Sequence, residues 1–212
     1  MYINKRGNKL KKIITIQHTQ AEHHVKKMIG GDTDWPLTQL GKEQANNIGK
    51  HIKELLDFKC KSIIYSSDLL RTKQTAEIVN QYLELNIIYK QELREIKMGE
   101  AKGKSKEWYK QNCASNDNIP LIDYRPFPGA ENYKELYNRL FPVIEEIIKI
   151  DYENIIVVGH GGTLVMFFLQ WLKLPVEFME KIPWASSGSV SFYSISDNIR
   201  MLNNWNINSY KQ

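Results

Sequence analysis

Cysteine is scarce in this chain. Its 212 residues contain two, Cys60 and Cys113, in no CxxC or CxxH spacing, so a disulfide scaffold and a zinc ribbon are both excluded. No secretory leader is visible, because Lys11-Lys12 leads into only four apolar-run residues before Gln17 and His18. Reduced thiols in a cytoplasm are therefore expected. A long hydrophobic run is missing too. The most apolar stretch, Ile155 to Leu174, carries His160, Gln170, Lys173 and three glycines, and reads as strand, turn and helix instead of a membrane span. Internal repeats and low-complexity linkers are absent.

What is present is ordinary globular usage, 42% apolar and 25% charged. A chain of this length forms one domain, residues 1–212, burying roughly 70% of its unfolded surface without a staple. The net charge is +5 and the pI about 9.0. Lys5, Arg6, Lys9, Lys11 and Lys12 crowd the start. Such a run reads as a solvated terminus in preference to a nucleic-acid arm, and the basic excess suits a small anionic substrate.

The β-branched run Ile13-Ile14-Thr15-Ile16 predicts a buried strand. Leu40, Ile48, Ile52, Leu55 and Leu56 recur at helical spacing over about 39 to 57. Ser62 to Tyr65 predicts a second strand, and Ser66-Ser67-Asp68 cap a helix running to about 84. Leu85 to Tyr89 predicts a third strand. Residues 96–130, rich in glycine, proline, lysine and aromatics, read as a lid-like excursion with one short helix near 104–112. Asn132 and Glu135 form a capping box for a long helix that Pro142 should kink or break. Asn154 to Val158 is the strongest strand, and Gly161-Gly162 opens an apolar helix over Thr163 to Leu172. Ser189 to Ile195 and Ile199 to Trp205 predict a closing hairpin turning at Ser196-Asp197-Asn198. Strands alternating with helices predict an α/β fold, a mostly parallel central sheet with helices on both faces.

In such sheets ligands gather beyond the carboxyl ends of the strands. Four predicted strands are followed by Gln17-His18-Thr19, Ser66-Ser67-Asp68 with Arg71, Leu93-Arg94-Glu95, and Gly159-His160-Gly161-Gly162. Two of only five histidines thus stand at strand ends on one rim. A neutral imidazole is a competent nucleophile toward phosphorus. A second histidine, an arginine and the amides of a helix start can hold the phosphoryl oxygens. A carboxyl group near the leaving oxygen can act as acid and then as base.

The segments "IQHTQAEHH", "PLTQLGKEQA", "IYSSDLLRTKQTAEIV", "LREIKMGEAKGK", "PGAENYKELYNRL" and "VVGHGGTLV", in this order and spacing, resemble the histidine phosphatase superfamily in its phosphoglycerate-mutase-like branch. The resemblance runs from Ile13 to about Tyr193. It implies a phosphomonoester hydrolase with a phosphohistidine intermediate, acting on a small phosphorylated substrate, without cofactor or metal. His18 would be the nucleophile. Arg71 and His160 would bind the phosphoryl group, Glu95 would donate and then accept the proton, and Gly161 and Thr19 would offer backbone amides. The 96–130 excursion would select the substrate.

Three positions depart from the family pattern, Arg-His-Gly around the nucleophile and an asparagine six residues on. Here stand Gln17-His18-Thr19 and His24. Gln17 can donate a neutral hydrogen bond, and a protonated His24 would restore the lost charge, which predicts an acidic pH optimum. A binding-only protein that has lost turnover is one alternative. A phosphoglycerate-type mutase is another, disfavoured because the excursion offers only Arg94 and Arg125 at its ends. A metal held by His18, His23, His24 and His160 is disfavoured by the adjacent His23-His24 pair and the lack of a helical HxxxH. Nucleic-acid binding through Lys104, Lys106, Trp108, Tyr109 and Lys110 is disfavoured as well, their spacing being that of an amphipathic lid helix. Trp108, Tyr109, Tyr124 and Phe127, with Lys102 and Lys104, are expected to cover the substrate. Edge strands near either terminus could pair in a homodimer.

Overall fold

Side chains alternate across a strand, and here each parity meets its own helical layer. The structure is a computed structural model and describes residues 10–57 and 59–212, so Lys5, Arg6 and Lys9 lie outside the described residues. Its strands are β1 (Lys11–Gln17), β2 (Ser62–Ser66), β3 (Ile87–Tyr89), β4 (Asn154–Gly159), β5 (Val190–Ser196) and β6 (Ile199–Ile207). The helices are α1 (Glu22–Val25), α2 (Gln39–Leu55), α3 (Leu70–Leu83), α4 (Lys106–Asn112), α5 (Tyr133–Lys149) and α6 (Gly161–Trp171). Ile13, Ile63, Tyr65, Ile155, Val157 and Tyr193 pack with Leu140, Ile147, Val165 and Trp171 of α5 and α6. Ile14, Ile16, Ile64, Ile156 and Val158 pack with Ile48, Ile52, Ala76 and Val79 of α2 and α3. Burial on both faces explains why β1 and β4 read as unbroken apolar runs.

The sheet order is β3-β2-β4-β1-β5-β6. The first four strands are parallel, while β5 and β6 add antiparallel. Asp197 and Asn198 turn the hairpin with φ of 54° and 62°, the left-handed pair that matches strand twist. The mostly parallel α/β architecture agrees with the expectation from the strand and helix order. β1 lies inside the sheet, so the N-terminal strand offers no edge for a dimer; the edges belong to β3 and β6.

The capping box closes as expected. Asn132 Oδ1 accepts from the Glu135 amide at 2.9 Å, and the Asn132 amide donates to Glu135 Oε2 at 3.1 Å. Pro142 does not end its helix, because α5 continues through it to Lys149. Proline in a helix interior costs about 3 kcal/mol, and the buried stripe Leu136, Leu140, Val143, Ile144 and Ile147 holds the helix down on both sides of it. Among the described residues, no helix is long and apolar enough to cross a membrane.

The 96–130 segment carries its helix slightly later than expected, and Trp108, Tyr109, Tyr124 and Phe127 do not line the cavity at the carboxyl ends of the strands. Trp108 and Tyr109 pack on Phe127, each with ring centroids 5.2 Å apart, in a small cluster with Ala101 and Ala130. Lys102 pairs with Asp32 at 3.1 Å, and Lys104 lies over the Trp108 ring at 5.4 Å. Ile122 of the segment joins the core shared with α5 and α6, whereas Trp108, Tyr109 and Phe127 pack among themselves.

Candidate active site

At the carboxyl ends of β1, β2 and β4 lies a cavity of about 520 Å³. His18 leaves β1 directly into it and is 3% exposed. Its Nδ1 stands 2.9 Å from the Thr19 carbonyl oxygen, which obliges Nδ1 to carry the proton and leaves the lone pair on Nε2. Arg71, one turn into α3 and 1% exposed, donates from Nε to that Nε2 at 3.1 Å. Its other arms donate to the Thr33 and Gly31 carbonyls, both at 2.6 Å. Every edge of the guanidinium fork is thereby fixed, and Gly31, at φ 39°, shapes the turn that supplies one acceptor.

His160 ends β4 fully buried, its ring centroid 5.2 Å from that of His18. Its Nε2 meets Ser67 Oγ at 3.0 Å, and its buried Nδ1 has no protein partner. Glu95 reaches the start of α6. Its oxygens accept from the Gly162 amide at 3.0 Å, the Thr163 amide at 3.2 Å and the Ile96 amide at 3.0 Å. Gly161 lines the cavity, and its amide is the one at this helix start that Glu95 does not take. Gln17 also lines it, with Oε1 buried and unpartnered. Thr19 is different. It is fully buried, and its amide donates to Thr75 Oγ1 at 3.3 Å, so it does not offer that N–H to the cavity.

α1 turns His23 and His24 back toward His18, with ring centroids 5.7 and 5.4 Å from it. His24 Nδ1 accepts from the Ala21 amide at 3.2 Å, which places its proton on Nε2. Burial, then Lys106 and Arg71, pulls His24 down to about 4. Burial, then His24 and Arg71, brings His23 to about 3. His18 and His160 also lie well below their ordinary value, chiefly through burial and then through Arg71. All four rings are neutral near pH 7. His24 therefore carries no charge near pH 7, and the charge expected of it is present only in acid near its lowered pKa. Lys106, from the first turn of α4, lines the same cavity and does supply a cation.

The spacing argument against a metal does not survive folding, since ligand atoms of His18, His23 and His24 lie within 4.8 Å of one another. Electrostatics opposes a cation here instead. The His18 lone pair already accepts from Arg71, His24 Nδ1 accepts from a backbone amide, and Lys106 shares the cavity. The arrangement favours an anion.

Sequence reasoning missed Lys106, Tyr133 and Trp184 as cavity residues. Lys106 was legible only as one lysine among many in 96–130, and Trp184 stands in a segment without a motif. The predicted set His18, Arg71, Glu95, His160, Gln17, His24 and Gly161 is brought together.

Fold and site define an α/β protein with a cluster of histidines and an arginine at the mouth of its sheet. Residues 13–208 match the histidine phosphatase superfamily (branch 1), and the chain belongs to that family. It is 30% identical over 154 residues to "Uncharacterized phosphatase PhoE" of Bacillus subtilis, covering 72% of each chain. It is 27% identical over 205 residues to "Probable phosphoglycerate mutase GpmB" of Proteus mirabilis, covering 91% of this chain and 89% of that one. The solved structure of a mycobacterial glucosyl-3-phosphoglycerate phosphatase shares the fold, with a TM-score of 0.81 at 21% identity over 94% of this chain and 100% of the other.

Proposed function

We propose that the chain hydrolyses phosphomonoesters through a phosphohistidine at His18. The observation that carries this reading is the His18 ring itself. Nδ1–H is held by the Thr19 carbonyl, which leaves the lone pair on Nε2, where it accepts from Arg71 Nε; a phosphoryl oxygen bound at the guanidinium takes over that hydrogen bond and frees Nε2 to attack. In the first step Nε2 attacks phosphorus and the bond to the leaving oxygen breaks, with Glu95 delivering the proton that oxygen needs. Arg71, His160, Gln17 and Lys106 hold the phosphoryl oxygens, and the Gly161 amide adds a donor at the helix start. In the second step Glu95 takes a proton from water, the water oxygen bonds to phosphorus, and the P–N bond breaks. Phosphatase-named relatives support the hydrolytic reading; mutase-named relatives match as well, but the two arginines flanking the excursion are engaged elsewhere, Arg94 with Asp68 and Arg125 with Glu135.

The test is a panel of phosphomonoesters at pH 5 to 8 with wild type and His18→Ala, together with a chemical quench of the labelled enzyme. The expected result is turnover by wild type and a phosphoenzyme stable in alkali but lost in acid, both absent from the variant. Turnover that survives in His18→Ala would overturn the assignment. Phosphate binding without turnover in both proteins would instead establish a binding module.

A further inference from the structure

The cavity has a second half that the phosphoryl chemistry does not use. Glu95, the proposed proton donor, must stand next to the leaving oxygen, so whatever surrounds Glu95 meets the leaving group. Gly162 locates that surrounding. A Cβ built there would stand 2.7 Å from Glu95 Oε1 and 3.3 Å from Trp184 Cζ3. The missing side chain lets carboxylate and indole lie side by side over the start of α6. Trp184 is 44% exposed, although it is large and apolar. Its ring meets Tyr133 edge-to-face at 5.7 Å and 76°.

The platform is held from behind. Trp205 Nε1 donates to the Pro183 carbonyl at 2.9 Å, and Asn206 Nδ2 donates to the Trp184 carbonyl at 3.3 Å. Met28, Ile96 and Met98 line the same cavity. Apart from the groups already given phosphoryl or proton roles and the pair His23 and His24, every cavity-lining residue is apolar, aromatic or glycine. Recognition of a sugar or polyol would need several buried acceptors and donors for its hydroxyls, and beside the Trp184 ring the polar side-chain group is the Tyr133 hydroxyl.

From this we infer that Trp184 and Tyr133 form a leaving-group platform, and that the substrate class is a phosphomonoester of an alcohol bearing a flat, apolar ring system. The inference rests on the proposed hydrolase reading. A planar ring stacks on the indole face while its ester oxygen reaches Glu95 and its phosphoryl group reaches His18. Met28 and Met98 are adaptable neighbours for such a ring.

The test compares 2-naphthylmethyl phosphate with glycerol 1-phosphate. Both are primary alkyl esters, so their intrinsic reactivity is similar and the enzyme's preference reports the platform. Wild type is expected to favour the naphthylmethyl ester at least tenfold in kcat/KM. Trp184→Ala should raise KM for that ester about tenfold with kcat nearly unchanged, and should cost the glycerol 1-phosphate reaction several-fold less. Trp184→Phe should restore most of the KM. Equal use of the two esters by wild type, or an equal loss on both in Trp184→Ala, would overturn the platform. If no ester is turned over, the hydrolase reading fails separately, and the platform is then judged by binding. Naphthylmethylphosphonate should bind wild type about tenfold more tightly than methylphosphonate and lose that margin in Trp184→Ala; equal affinities would sink it.

Discussion

His18 and Trp184 line one cavity, and the protein holds them in opposite ways. His18, Arg71 and His160 are 3%, 1% and 0% exposed. They stand on strand ends and a first helical turn, tied to one another, to backbone carbonyls or, for His160, to the Ser67 hydroxyl. The outer residues are carried by a short helix, by a lid with its own small cluster, and by the loop ahead of β5. They are half-open to solvent. The deep half rides on the sheet, which cannot move without disturbing two cores. The outer half rides on connections, where sequence can change at little cost to the fold. Chemistry is thus placed where geometry is over-determined, and selection of the leaving group where it is not.

Substitutions should separate the two halves. The largest effect belongs to His18→Ala, which is expected to lower kcat by at least roughly 10⁴-fold while thermal unfolding remains cooperative. Next comes Arg71→Ala, expected to cost roughly 30-fold to several-thousand-fold in kcat/KM. Arg71→Lys should recover little, because one ammonium cannot serve Thr33, Gly31 and His18 together; near-full recovery would show that only charge matters there.

Acid should weaken the whole site. An unfolded chain takes up a proton at each histidine near pH 6.5, whereas His23 and His24 wait until about 3 and 4 and His18 and His160 are held well below that ordinary value. The unfolded state binds more protons in that window, so stability falls as pH drops below about 6.5, by up to about 1.4 kcal/mol per pH unit for each neutral histidine. Urea midpoints at pH 7.5 and 5 measure this, and a flat profile would contradict the neutral cluster. Lys106→Gln is expected to raise KM three- to tenfold, with a weaker salt dependence and kcat nearly constant. The smallest effect is that of Asn132→Ala, which removes the α5 cap just before Tyr133. It should cost about 1 kcal/mol of stability, visible as a lower urea midpoint, with the naphthylmethyl ester more affected than the glycerol ester.

Much of the deep half was legible beforehand. His18, Arg71, Glu95 and His160 each follow a recognisable strand, and the rule that ligands collect at carboxyl ends brings them together without knowledge of the packing. The outer half was not, because its residues share no period and no motif. Trp108 and Phe127 looked like substrate cover but serve the lid's own cluster, which local pattern cannot distinguish. His24 looked like a spare cation. Only burial beside Lys106 and Arg71 makes it neutral. Thr19 looked like an amide donor to the anion, but its N–H donates to Thr75 Oγ1, far away in sequence. Pro142 obeyed the local rule only in its cost, since the buried stripe around it holds α5 together.

The sequence alone determined the alternation of strands and helices, the apolar character of both sheet faces and the chemical types at the strand ends. Those properties follow from periodicity and residue chemistry, which are local. Tertiary structure decided which lysine shares the cavity with four neutral imidazoles, which aromatics face it, and which amides remain open. Each of these depends on distances between segments remote in the chain, and electrostatic and packing energies are set by those distances.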